Sequence, residues 1–139
     1  MRLGILVGVA VVSMAVAVGA WAAQKPEDLA QAAAESWLKL TDEGNGAASW
    51  DQAATFFKNA VTKEQWIHAL AGVRLPLGKL ISRKVKSRQY TEKLPGVPDG
   101  KYIVIQYETV FEKKAAAIET ISPMRDQDGV WRVSGYFIR

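Results

Sequence analysis

The chain has 139 residues, 49% apolar and 23% charged, which fits one globular domain and excludes a disordered or fibrous segment. It holds no cysteine, which excludes disulfides, thiol catalysis and lipid attachment through an N-terminal cysteine. A formal net charge of +4 is too small to argue by itself for nucleic acid.

Residues 1–24 hold one charge, Arg2, and Leu3 to Ala23 is a run of Leu, Ile, Val, Ala, Gly and Met, broken only by Ser13 and Trp21, with no charge. It ends in Ala20-Trp21-Ala22, a small-x-small pattern that a signal peptidase can cut before Ala23. The expectation is a signal peptide over residues 1–22 and a single domain over residues 23–139. The alternative is an uncleaved anchor in the inner membrane, since about 20 apolar residues suffice to cross a bilayer. Either way the domain is expected outside the cytoplasm, periplasmic or secreted. Removing Arg2 leaves 17 basic against 14 acidic residues, a mature net charge of +3.

After the signal, Pro26 with Glu27 and Asp28 reads as a helix start, because proline suits the first turn and acids complement the dipole there. Leu29, Ala33, Trp37 and Leu40 follow at helical spacing, and Gly44-Asn45-Gly46 ends the helix. Ser49 with Gln52 reads as a capping box for a short second helix whose Trp50, Ala53, Ala54 and Phe57 share a face. Thr62 with Gln65 reads as another, with Val61 and Trp66 at the positions of a hydrophobic staple. This third helix should stop near Arg74, ahead of Pro76.

The period then changes. Segments near 80–91, 102–111, 116–122 and 130–138 are rich in β-branched and aromatic residues. Pro98-Asp99-Gly100, Lys113-Lys114 and Asp128-Gly129 mark short connections, which imply antiparallel neighbours. The expected fold is α+β: N-terminal helices packed on a curved four-stranded antiparallel sheet. Alternation turns Ile103, Ile105, Tyr107 and Phe111 to one side of the second strand, and Trp131, Val133 and Phe137 to one side of the fourth.

Arg83 is the most informative position. It shares parity with Ile81 and Val85 and should point towards the helices, while Lys84, Lys86 and Arg88 point away. An inward guanidinium needs a carboxylate, and Glu119, alternating with Ala117 and Ile121, is the best candidate. The pair is either structural or an anion-binding group at the mouth of a cavity. Arg74 suits the negative end of its helix dipole, with a ligand contact as the second reading. Lys84, Lys86 and Arg88 form a basic surface patch, read either as protection of an edge strand or as attraction to anionic polymers and lipid headgroups. The single histidine, His68, should face outward, with no second histidine or cysteine to share a metal. The tryptophans of the domain fall on apolar faces, as core residues do. No metal or cofactor is expected.

Several segments together resemble the domain of unknown function 4019 family: Ala34-Glu35-Ser36-Trp37-Leu38, Ser49-Trp50-Asp51, Arg74-Leu75-Pro76-Leu77-Gly78, Glu119-Thr120-Ile121 and Gly129-Val130-Trp131-Arg132-Val133-Ser134-Gly135-Tyr136. The resemblance implies a small exported bacterial protein and supplies no activity and no catalytic residues. The element order is also similar to the cone-shaped nuclear-transport-factor-2-like and cystatin-like folds, a likeness of outline that carries no function.

Three functions are compatible with these residues. The first is a non-catalytic envelope protein binding a small ligand or a protein partner, or forming a homodimer through Tyr102, Val104 and Val110 on the other side of the second strand. The second is an enzyme with an acid/base site built from Glu119, Arg83 and Tyr107. The third is a binder of anionic envelope surfaces through the basic strand. Membrane contact is expected only through the signal or such a weak surface attraction.

Overall fold

In a computed structural model of the chain, residues 24–139 are described, and the expected signal peptide with its cleavage point lies outside them. Helix α1 (Pro26–Asp42) has proline in its first turn and Glu27 and Asp28 at its positive end. Gly44, at φ +72°, closes it: Gly44 N–H donates to the Thr41 carbonyl and Asn45 N–H to that of Leu40, a Schellman motif that leaves Asp42 in the last turn.

The expected second helix is two. Asn45, not Ser49, caps α2 (Gly46–Asp51), its side chain accepting from Ala48 N–H at 3.1 Å. Ser49 is buried within α2 because its oxygen is needed elsewhere. It donates to the Gly46 carbonyl and accepts the indole N–H of Trp66 at 2.8 Å. The chain then breaks at Ala53-Ala54, where Ala54 N–H donates to Val133 O across 2.8 Å. Helix α3 (Thr55–Ala60) starts on Asp126, whose carboxylate accepts both the N–H and the hydroxyl of Thr55. Helix α4 (Lys63–Arg74) carries the expected capping box, Thr62 with Gln65, and passes into a 3-10 turn over Leu75–Leu77.

Strands β1 (Leu80–Thr91), β2 (Tyr102–Phe111), β3 (Lys114–Arg125) and β4 (Trp131–Ile138) form an open antiparallel sheet in the order β1-β2-β3-β4. The helices lie on one face of it. Between them are Ala30, Ala34, Trp37, Leu38 and Phe57 from the helices, and Ile103, Ile105, Tyr107, Ile121 and Val133 from the sheet. Trp37 stacks with Trp66 at 5.8 Å and meets the edge of Tyr136 at 5.3 Å. The indole donors of Trp37, Trp50 and Trp66 all find oxygen acceptors, so these rings join the core without an unmet N–H.

The strand register shifts at four places, one of them between Thr109 and Phe111 where β2 meets β3, and the other three redirect side chains that alternation had placed. In β1, Leu80 faces Phe111 and Ser82 faces Val110, so Ile81 is the extra residue and points to solvent. Farther on, Val85 faces Tyr107 and Ser87 faces Gln106, which makes Lys86 the extra residue and turns Arg88 inward opposite Ile105. In β4, Ser122 faces Gly135 and Pro123 faces Val133, so Ser134 is skipped. Beyond it parity reverses. Tyr136, opposite Ile121, faces the helices, and Phe137, expected inside, is 56% exposed. An inserted residue shifts every later side chain to the other face.

Candidate functional site

Helices α1 and α4 and all four strands contribute side chains to one polar network on the inner face of the sheet. Arg83 does point under the helices, with its side chain 12% exposed. Its Nε and one terminal nitrogen donate to the two oxygens of Glu119 at 2.6 and 3.1 Å. Its terminal nitrogens also donate to both oxygens of Asp42 at 2.8 and 2.9 Å. Asp42 in turn holds Arg74 at 2.9 Å, and the other terminal nitrogen of Arg74 donates to the Thr41 hydroxyl at 3.2 Å. Arg74 is buried over the ring of Phe111, 4.8 Å from its centroid.

Glu119 is wholly buried, and besides Arg83 it accepts the hydroxyls of Thr109 and Tyr136. Four donors therefore meet the roughly four lone-pair positions of its carboxylate. A general base needs a lone pair open to the proton it takes, and Glu119 has none free. Tyr107 stands opposite Glu119 in the sheet, with its hydroxyl directed to Glu35 at 3.4 Å. Two arginines and two carboxylates leave this network formally neutral.

Beside the network lies an open cleft of about 410 Å³ between the end of α1, α4 and the start of β1. Arg74 and Asp42 stand in its wall, Ile67, Leu70, Ala71 and Leu75 supply its apolar lining, and Lys79 and Glu112 its charged rim. The Nε of Arg74 is buried with no hydrogen-bond partner. Among the described residues no three His, Asp or Glu side chains converge as a metal site, and His68 is exposed on α4.

The family described as Protein of unknown function (DUF4019) matches residues 33–136, three quarters of the chain. The chain belongs to that family. No curated protein and no solved structure matches it. Every member of the network, from Asp42 to Tyr136, falls inside the segment that the DUF4019 family covers.

The basic patch is not one surface. Lys84 pairs with Glu108 at 3.1 Å on the outer face, and Lys86 is the extra residue of a bulge. Arg88 is turned by that bulge towards α1, where it donates to Asp28 at 2.8 Å and Gln31 at 3.1 Å. Tyr102 is also absent from the open apolar face: it is buried under the loop before β2, its hydroxyl donating to Pro98 O at 2.5 Å. Val104 and Val110 remain half-buried there, joined by Phe137.

Parity alone missed three members of the network. Thr109 was visible, lying between Tyr107 and Phe111 on the inner side of β2. Asp42 carried a signal too, since an acid in the last turn of a helix opposes the dipole and calls for a cation. Tyr136 carried none, because the bulge at Ser134 that turns it inward leaves no mark in the alternation.

Burial works against the charge on Arg83, but its bonds to Asp42 and Glu119 outweigh that and hold its pKa above the usual arginine value. Removing one side of such a pair strands the other. Glu119→Leu should lower unfolding free energy by about 3–5 kcal/mol in urea titration, and Arg83→Met/Glu119→Leu should recover part of it because Asp42 keeps Arg74. If the double variant proves no more stable than the single one, the pair is not the source of the loss.

Tyr136 and Tyr107 are both pushed well above the ordinary phenol pKa, first by burial and then by the charges of Glu119 and Glu35 respectively. A group whose folded pKa is raised gives stability that is whole below its unfolded value, about 10 for tyrosine, and erodes as pH climbs past it. Urea midpoints should therefore fall above pH about 10, and fall less steeply in Tyr136→Phe. Equal slopes for the two proteins would contradict this.

Proposed function

We propose that this DUF4019 member is an exported, non-catalytic binding protein that takes a small ligand in the cleft between α4 and the start of β1. The observation that carries the reading is the pairing of that cleft with a saturated network behind it. The wall sets Arg74 and Asp42 beside apolar side chains, while the buried carboxylate behind them, Glu119, is fully occupied. Binding sites commonly combine an apolar lining with a few fixed polar groups in a cleft of this size. An acid/base site built on Glu119 would need a lone pair free to take a proton, and all of its lone-pair positions are engaged. Export is supported by the charge-free run Leu3–Ala23 and its Ala-Trp-Ala end.

The cleft is tested with anilinonaphthalene sulfonate, an apolar ring system carrying one anionic group. Its fluorescence should rise saturably with the protein, and Ala71→Trp, which fills the cleft from an exposed position on α4, should weaken binding by about tenfold. A folded Ala71→Trp protein that binds the dye as well as the parent would refute the cleft as the site. Export is tested by expressing the full chain in a Gram-negative host and fractionating it. The domain should be recovered outside the cytoplasm, and replacing Val7 and Val9 by Asp should trap it inside; recovery of the parent chain in the cytoplasm would overturn the reading.

A further inference from the structure

The opposite end of α1 carries a second feature, unrelated to the cleft. Pro26, Leu29, Tyr90 and Trp131 line a hollow of about 360 Å³ together with Lys101, Arg125 and Gly129. Leu29 is 40% exposed, Tyr90 42% and the neighbouring Val130 48%, large apolar groups left in water at one corner of the domain. Lys101 and Arg125 are the charged residues in this lining. Both are exposed, and neither forms an ion pair among the described residues. The two are held side by side, since Arg125 N–H donates to the Lys101 carbonyl at 3.0 Å. Of the acids nearby, Asp28 is paired with Arg88 and Asp128 with Arg132, while Glu92 accepts the Tyr90 hydroxyl and, like Asp99, forms no ion pair among the described residues. Lys25 and Glu27 flank Pro26 and cancel.

This corner is also where the chain enters the domain. The charge-free run Leu3–Ala23 ends two residues before Lys25. A segment that takes the chain to a bilayer brings this corner there first, whether it is later removed or kept. Extended chain covers about 3.5 Å per residue, so a retained run would hold Leu29 within a few residues' reach of the headgroups. Aromatic rings beside lysine and arginine suit that zone, with the rings among acyl-chain ends and the cations among phosphates. We propose that the Pro26–Leu29–Tyr90–Trp131 corner is a membrane-contact face that seats on an anionic lipid leaflet, with Lys101 and Arg125 reading the headgroup charge. The proposal rests on the export reading and not on the cleft.

The absence of cysteine makes the test direct. Single cysteines replace Leu29, Val130 or, as a reference on α4, His68, and each is labelled with a nitrobenzoxadiazole dye. The protein as isolated, with its N-terminal run kept or removed, is mixed with vesicles of phosphatidylcholine alone or with one part phosphatidylglycerol to two parts phosphatidylcholine. On the anionic vesicles, dyes at 29 and 130 should shift to the blue and be quenched by nitroxide lipids, while the dye at 68 stays open to aqueous iodide. Lys101→Glu/Arg125→Glu should need about tenfold more anionic lipid for the same shift, and high salt should act in the same direction. Labels at 29 and 130 as open to iodide as the one at 68 would overturn the proposal. So would a charge-reversed protein that responds like the parent, because the hydrophobic run alone would then explain the contact. Dye binding in the cleft should survive the charge reversal, which separates failure at this corner from failure there.

Discussion

Arg83 cannot be both under the helices and alone. A guanidinium taken out of water costs several kcal/mol unless carboxylates meet it at close range, and the chain supplies two from opposite directions. Glu119 comes from β3, two strands across the same sheet, and Asp42 from the end of α1. The arginine therefore ties β1 to β3 and to the end of the first helix. The Schellman closure at Gly44 ends α1 just beyond Asp42, which stands in the last turn and reaches both Arg83 and Arg74.

Such a network adds specificity more clearly than it adds stability. A neutral cluster of two arginines and two carboxylates is at best a modest gain over a well-packed apolar core of similar volume, yet each partner is costly to remove alone. It also fixes orientation. The carboxylate of Glu119 has one arrangement that satisfies Arg83, Thr109 and Tyr136 together, and that arrangement requires the bulge at Ser134. Without the skipped residue Phe137 would face the helices and the Tyr136 hydroxyl would point to solvent, leaving one lone pair of a buried carboxylate unmet.

Element order and type were legible because they rest on local signals. Pro26, the Thr62 and Gln65 capping box, and the period change after Pro76 each act over a few residues, and each stands where the sequence places it. The inward course of Arg83 and its pairing with Glu119 were legible by counting in twos within a single regular stretch. What lay beyond that counting depended on register shifts. A bulge is a choice between two strands, fixed by packing on both sides, so Arg88, Ile81 and Phe137 each landed on the face opposite to the one alternation assigns. Ser49 misled for a related reason: its use as an acceptor for Trp66 is a contact across 17 positions that no local cap motif records.

The two ends of α1 do different work, and its length keeps them apart. At about 1.5 Å per residue, the 17 residues of the helix span about 25 Å. The C-terminal end holds Asp42 and borders the cleft, and the N-terminal end holds Leu29 and borders the hollow. A domain seated on a bilayer by the second would hold the first beyond the reach of headgroup charge, which falls away within about 8 Å at physiological salt. The neutral network then has a further consequence. With Arg74 and Arg83 already matched by Asp42 and Glu119, the cleft has little long-range pull on anionic lipid, whereas Lys101 and Arg125, unmatched, keep theirs. Pairing of charge at one end and its absence at the other would orient the domain with the cleft facing away from the membrane.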